Sequence, residues 1–269
     1  MKWRVQVLSL VAALACAPVI SQKNHDAARI GYDLGIAAFN QGDSREALRS
    51  LRTAYSQDPT LPEVHNALGL VYHSLGKQDA ALTHYQRAVA LRPQFSEAYN
   101  NMGTLLLDMG RHDAAVQAFE TALRDILYAT PHLAEGNMGW AYYQKGETDL
   151  ALEHIGNAVA TDPQFCRGYQ WLARIALDRD DAAQMVAQGQ RFVRYCLDNA
   201  EVAQSVPADY RHEMQYYLAL GHLKQGNGRP ARELLRQCAS TDPDARGFAR
   251  KCTASLRALG SATDHVPLR

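Results

Sequence analysis

The chain has 269 residues, of which 47% are hydrophobic and 21% are charged, with 28 basic and 28 acidic side chains. This composition is ordinary for a globular protein, and the length allows one large domain or two of average size. Since the net charge is zero, the chain as a whole has no electrostatic footprint for nucleic acid or for an anionic membrane surface.

The N-terminus has the parts of a secretion signal. Lys2 and Arg4 form a short positive region, and residues 5–14 form an uncharged, mostly apolar run. This run is too short to span a bilayer as a helix. We therefore predict a signal peptide over residues 1–15, with a buried N-terminal helix of a cytosolic protein as the alternative.

The signal can end in two ways. The triplet Ala13-Leu14-Ala15 suits cleavage that releases a soluble protein. The stretch Ala12–Cys16 also fits a relaxed lipobox, in which a lipoprotein peptidase cuts before Cys16 and the thiol carries lipid, although Ala13 stands where Leu is commonest. We predict lipidation of Cys16 and a location on the periplasmic face of the outer membrane, and the soluble periplasm stays open as the alternative.

An internal repeat explains most of the remaining chain. Small residues, a turn glycine and a late alanine recur together, and Pro59 and Pro93 lie 34 residues apart. This is the tetratricopeptide period, in which each unit is a pair of antiparallel helices. The recurring positions are Gly35, Gly69, Gly103 and Gly139, then Gly42, Gly76, Gly110 and Gly146, then Ala54, Ala88, Ala122 and Ala158.

One hairpin cannot bury its apolar face, but a stack of hairpins can. We therefore predict an all-α, right-handed tetratricopeptide-repeat superhelix of about six hairpins with a C-terminal capping helix. The predicted divisions are a signal peptide (1–15), a lipidated N-terminus and linker (16–27), units 1–3 (28–131), units 4–5 (132–199), an inserted loop (200–211), unit 6 (212–245), and a capping helix with a tail (246–269).

The repeat is irregular at two places. Pro93 and Pro163 are 70 residues apart, two more than two periods, and Pro163 and Pro243 are 80 apart, twelve more. The two extra residues follow unit 3, and the twelve lie between units 5 and 6. Insertions of this kind map to loops, which either lie at a binding edge or are tolerated at the surface.

Four cysteines follow Cys16, and none has the spacing of a metal site. Cys166 opens the first helix of unit 5 and Cys196 closes the second, so they meet at one end of a hairpin. Cys238 lies at the late-alanine position of unit 6, and Cys252 lies on the facing side of the capping helix. We predict a disulfide within each pair, with four buried thiols as the alternative.

The sequence offers no catalytic constellation. The ten histidines are scattered over different units, and there is no glycine-rich phosphate loop and no nucleophile with a matching base. We therefore expect a non-enzymatic protein without a cofactor, a metal or a small-molecule substrate.

Tetratricopeptide stacks bind partners along a groove lined by the first helix of each hairpin. Aromatic anchors interleaved with amides suit a peptide, because rings cover its side chains and amides bond its backbone. The predicted groove residues are Tyr32, Phe39, Asn66, His73, Asn100, Leu107, Trp140, Tyr143 and Arg174.

The segment "RDILYATPHLAEGNMGW" after unit 3 resembles the PilF/PilW/Tgl outer-membrane lipoproteins of type IV pilus biogenesis. The residues that carry the resemblance are Asp125, Leu127, Tyr128 and the run Asn137-Met138-Gly139. The resemblance implies a pilotin, which helps the secretin reach the outer membrane and assemble into its multimeric pore. A soluble periplasmic scaffold and a cytoplasmic adaptor for another complex are the alternatives.

Overall fold

The computed structural model describes residues 20–240 and 247–262, and within these ranges every regular element is helical. A π-helical turn, Val193–Leu197, directly follows the helix that ends at Phe192. The helices are α1 (Gln22–Asn40), α2 (Ser44–Gln57), α3 (Pro62–Ser74), α4 (Gln78–Leu91), α5 (Ser96–Asp108), α6 (His112–Leu123), α7 (Pro131–Gln144), α8 (Thr148–Thr161), α9 (Cys166–Asp178), α10 (Ala182–Phe192), α11 (Ala200–Ser205), α12 (Ala208–Lys224), α13 (Gly228–Cys238) and α14 (Gly247–Ala262).

Six hairpins form the stack, and α14 packs on the last of them. We call α1, α3, α5, α7, α9 and α12 the first helices, and α2, α4, α6, α8, α10 and α13 the second helices. The predicted all-α stack of about six hairpins with a capping helix is therefore confirmed.

Glycine allows the two helices of a hairpin to approach closely. A Cβ atom on Gly69 would lie 2.5 Å from the ring of Tyr85, which is itself fully buried. The same large position is filled by Leu51, Phe119 and Ile155 in the neighbouring units, each with no exposed surface. One such side chain contributes about 1.5–3 kcal/mol when it leaves water, so these residues form the spine of the core.

The turn inside each hairpin needs a left-handed residue to end the first helix. Gly76 has a φ of 69°, and glycine fills this position in five of the six units. In unit 5 the same place is taken by Asp180, with a φ of 58°. Aspartate tolerates this conformation better than most residues, so the weaker pattern of unit 5 still closes its turn.

The structure corrects two predicted boundaries. Residues 22–27, predicted as linker, form the first turns of α1, because Ser21 caps the helix by accepting a hydrogen bond from the Asn24 N–H at 3.2 Å. The segment 200–211, predicted as a loop, contains α11 and the start of α12, and Asn199 caps α11 in the same way. The predictions for residues 1–19, including Cys16, lie outside the described residues.

The starts of the first helices and the ends of the second helices share one edge of the stack. His25 and Asp58 meet there at 2.8 Å, and the Ser96 hydroxyl donates to Asp125 at 2.7 Å. Burial opposes ionisation of Asp58, but hydrogen bonds from Thr60 and His25 outweigh it and lower the pKa of Asp58.

Candidate partner-binding groove

The first helices pack beside one another in chain order and line one face of the stack. All nine predicted groove residues lie on five of these helices. Their positions within the repeat are the fifth, ninth and twelfth, which recur on one side of a helix. These nine side chains differ in whether they face solvent or pack against the next hairpin.

Several of the polar groove residues bond to the next hairpin. The Asn101 amide donates to the Asn66 oxygen at 3.0 Å, and the Asn137 amide donates to the Asn100 oxygen at 3.1 Å. In each pair the partner lies one position further along in the following unit. Such amide pairs link adjacent hairpins and help to fix their spacing, and each pair engages one donor and one acceptor that could otherwise bond to a peptide backbone.

A second set of bonds follows the same rule at the far ends of the first helices. The His73 ring nitrogen lies 2.7 Å from a carboxylate oxygen of Asp108. The Tyr143 hydroxyl donates to Asp178, and burial together with this carboxylate raises the pKa of Tyr143. Both pairs are 35 residues apart, one repeat plus one residue. They brace adjacent units along the groove.

Two predicted groove residues are not available to a partner. Asn100 is 7% exposed and Leu107 is 8% exposed, because both are covered by the following hairpin. Tyr32 and Phe39 are half-buried and pack on the core of the first two units. The predicted groove is therefore corrected at Asn100 and Leu107, and in units 1–3 much of it is a packing surface between first helices.

Units 4 and 5 carry a different surface. Trp140 stacks on Trp171, with ring centroids 5.2 Å apart and planes inclined by 12°. Tyr143 also lies against Trp140, with ring centroids 4.8 Å apart and planes inclined by 32°. All three rings are half-buried. They form a continuous aromatic surface, which we call the aromatic cluster (Trp140, Tyr143 and Trp171).

Charged side chains lie around the aromatic cluster. Arg174 is 44% exposed and bonds to Asp178 at 3.3 Å. Arg167 lies over the rings of Trp171 and Tyr210, with its guanidinium carbon 5.8 Å and 5.2 Å from their centroids. Cations placed over aromatic faces are held by the ring quadrupoles, so Arg167 is fixed in position while its edge remains a donor.

An acidic side chain completes this end of the groove. Glu213 on α12 accepts a hydrogen bond from the Tyr217 hydroxyl at 2.8 Å. Burial raises the pKa of Glu213, and the Tyr217 bond and the nearby arginines only partly oppose this. The groove of units 4–6 thus combines apolar rings with fixed charges of both signs, which suits recognition of a polypeptide.

Sequence reasoning identified Trp140, Tyr143 and Arg174 and missed Trp171 and Arg167. A signal was available for Trp171, because the sixth position of a unit also contacts the preceding first helix at Asn101 and Asn137. The repeat of unit 5 departs from the consensus, so its register gave little guidance. His65 and His84 were also missed as a pair, and their ring nitrogens lie 3.1 Å apart.

The structure contains two disulfides, Cys166–Cys196 and Cys238–Cys252, with Cα atoms 5.9 Å and 6.0 Å apart. They are the pairs that the repeat positions predict. The first closes unit 5 and the second fixes α14 to the last hairpin. Because disulfides persist in oxidising compartments, the two bonds indicate an extracytoplasmic location.

No cluster of three or more His, Cys, Asp or Glu side chains within residues 20–240 and 247–262 is arranged to hold a metal ion. None of the helices in these ranges is long and apolar enough to cross a membrane.

Comparison with known proteins identifies the repeat. Two family profiles, both described as tetratricopeptide repeat, match residues 32–94 and 84–117. No curated protein matches the chain in sequence. Residues 32–117 therefore match the tetratricopeptide repeat in sequence, and the helical array has the tetratricopeptide-repeat fold.

Many solved structures share the fold. PilW, described as a widely conserved type IV pilus biogenesis factor, is 22% identical with a TM-score of 0.70, and the match covers 84% of this chain and 98% of PilW. PilF of Pseudomonas aeruginosa is 18% identical with a TM-score of 0.72, over 87% of this chain and all of PilF. A tetratricopeptide-repeat protein of Parabacteroides merdae is 18% identical with a TM-score of 0.60, over 86% and 83%. At these identities the similarity shows the fold alone.

Proposed function

We propose that this tetratricopeptide-repeat protein is a pilotin: a non-enzymatic scaffold that helps a type IV pilus secretin reach the outer membrane and assemble into multimers. The observation that carries the proposal is the aromatic cluster, set in the groove of a fold that PilW and PilF share over most of their length. The segment that links units 3 and 4 adds the sequence resemblance to the same pilus lipoproteins.

The membrane anchor in this proposal is a lipid on Cys16. Cys16 lies six residues before α1, and α1 is capped by Ser21. The anchor would therefore hold the stack close to the bilayer. The protein would then encounter secretin subunits by diffusing along the membrane surface rather than through the whole periplasm. This raises the effective concentration of the scaffold for a client arriving at the same membrane.

The groove would contact the secretin through the aromatic cluster. Half-buried tryptophan and tyrosine rings provide large, stiff contact areas at little entropic cost, and Arg174 at their edge supplies a directional donor. Disordered or extended client segments are the partners such a surface suits, because they can follow the row of first helices. Binding would shield the client until it multimerises.

The test is the yield of denaturant-resistant secretin multimers in the native host. Trp140→Ala combined with Tyr143→Ala removes most of the exposed ring surface, and we expect multimers to fall severalfold with monomers accumulating. A matched control, Leu150→Ala with Val193→Ala, removes two exposed apolar side chains from second-helix positions, 38% and 36% exposed. Full multimer yield in the groove variant, with its folding verified by circular dichroism, would contradict the proposal.

The second candidate is a soluble periplasmic adaptor for another protein complex. Ala13 favours it, since that position of a lipobox is most often Leu. The two disulfides argue against the cytoplasmic version. The mass of the mature N-terminal peptide separates the candidates, because a diacyl or triacyl adduct on Cys16 requires the anchored form and an unmodified peptide requires the soluble one.

A further inference from the structure

A row of arginines runs along the outward face of α2. Arg45, Arg49 and Arg52 are spaced by four and three residues, so they lie on one side of the helix, and all three are exposed. Arg49 is 74% exposed and bonds only to Glu46 one turn earlier. Together with Leu48 and two hydroxyl side chains they line a shallow depression of about 510 Å³.

The row is peculiar to the first unit. The same three repeat positions lie on the outer faces of the next three second helices, where they carry acidic or neutral residues. They are Asp79, Thr83 and Gln86 in unit 2, Asp113, Gln117 and Glu120 in unit 3, and Asp149, Glu153 and Gly156 in unit 4. Unit 6 carries Arg229 and Arg236 with Glu233 between them at these positions, so the positions are positive in unit 1, acidic or neutral in units 2–4 and of mixed charge in unit 6.

Local helix physics does not account for the arginines. Arg45 lies in the first turn of α2, where the positive end of the helix dipole disfavours a cation. Asp43 caps this turn by accepting hydrogen bonds from the N–H groups of Arg45 and Glu46. The Asp43 cap therefore stabilises the start of α2, where Arg45 is otherwise unfavourable.

We propose that the arginine row of α2 is a docking site for the anionic phosphate headgroups of a phospholipid bilayer. The ligand class follows from charge complementarity, because arginine binds phosphate through its planar set of donors. The place follows from the chain end, because α2 belongs to the hairpin that follows the lipid anchor on Cys16. In this respect the inference depends on the proposed anchor.

Docking through this row would orient the stack. The opposite side of α2, with Ala47, Leu51 and Ala54, is buried against α1. A bilayer on the arginine side therefore leaves the first helices, and the groove that they line, facing away from the membrane. The acidic outer faces of units 3 and 4 would be repelled from an anionic surface, which lifts the aromatic cluster toward a client.

The experiment uses the mature chain from Cys16 onward with a single C14 chain coupled to the Cys16 thiol, the other four cysteines being held in disulfides. One such chain gives marginal, reversible binding, so an added contribution is measurable. Partition is measured into vesicles of phosphatidylcholine alone and with 30% phosphatidylglycerol. Each arginine near an anionic surface is worth about a factor of five, so we expect phosphatidylglycerol to raise the partition coefficient about a hundredfold.

The triple variant Arg45→Gln, Arg49→Gln, Arg52→Gln should lose this gain, as should the wild-type chain in 0.5 M salt. The matched control, Arg87→Gln, Arg111→Gln, Arg229→Gln, removes three exposed arginines from other units and should keep it. Equal partition of the wild-type chain into both vesicles, or an equal loss in the control, would overturn the inference. The assay contains no secretin, so its failure leaves the pilotin proposal untouched.

Discussion

The pair of histidines inside the second unit makes stability depend on pH in a way that can be calculated. His65 is 4% exposed, and its Nε2 lies 3.1 Å from the carbonyl oxygen of Pro59. Because a carbonyl only accepts, Nε2 carries the proton and the neutral ring offers Nδ1 as an acceptor to the Nδ1–H of His84. The hydrogen bond therefore requires a neutral His65, and a proton added to either ring places a positive charge in a partly buried site.

Burial, and secondarily the adjacent His65, lowers the pKa of His84 from 6.5 to about 4. The unfolded chain binds this proton more readily than the folded chain does. Stability is therefore complete above about pH 6.5 and falls as the pH drops toward 4. For these two pKa values the loss at pH 4.5 is about 2.5 kcal/mol, which is a large fraction of the stability of an ordinary domain.

The assay is urea unfolding at pH 7.5 and at pH 4.5, followed by circular dichroism, for the wild-type chain and for His84→Gln. The variant loses the stacking of His84 on Tyr72, so its stability at pH 7.5 should be lower. Its decrease between the two pH values should nevertheless be about 2.5 kcal/mol smaller than that of the wild-type chain. Thr83→Gln, at the neighbouring exposed position, is the control and should follow the wild-type chain. Equal decreases in His84→Gln and wild type would refute the reasoning, because carboxylates that titrate in this range are common to all three chains.

Two further predictions concern the stack itself. Replacing Cys166 and Cys196 by serine should lower the free energy of unfolding by about 3.5 kcal/mol, and replacing Cys238 and Cys252 by about 3 kcal/mol, because the bonds close loops of 30 and 14 residues. The measurement is the urea midpoint with and without reductant. No change on reduction would show that the bonds do not constrain the unfolded chain. Gly69→Ala should destabilise by about 1–3 kcal/mol, because the new methyl group meets the Tyr85 ring, which is buried and cannot move aside. Gly156→Ala, at a helical site with no atom within 4 Å, should instead stabilise by about 0.5–1 kcal/mol, and thermal melts that give both changes the same sign would contradict the packing argument.

The repeat made most of the fold predictable from sequence. Residues such as Gly35, Leu51 and Ala54 recur with one spacing because every hairpin packs on its neighbour through the same positions. The pattern therefore indicates which residues are in contact between helices. The twelve-residue insertion lacks that support. Its helix α11 is only six residues long and depends on the Asn199 cap, and a helix of that length has almost no periodic signal.

The groove was harder to predict, because each first helix has two adjacent faces that could line it. The sequence does not show which of the two is buried by the next hairpin. Asn100 and Leu107 stand at groove positions but are buried by the next hairpin. Trp171 stands one residue past a groove position and is stacked on Trp140. The twist between adjacent hairpins decides which face stays open, and that twist emerges only when all the side chains are packed.

The chemistry of the side chains that pair between adjacent first helices explains how one groove serves two purposes. In units 2–4 the paired side chains are amides, such as Asn100 with Asn137, which satisfy each other and set the distance between hairpins. Between units 4 and 5, Trp140 at the ninth position stacks on Trp171 at the sixth, and the two rings are only partly buried. Replacing an amide should therefore weaken the stack, whereas replacing a ring should remove surface offered to a partner. The chemistry of these pairs thus separates the structural part of the groove from the part available for recognition.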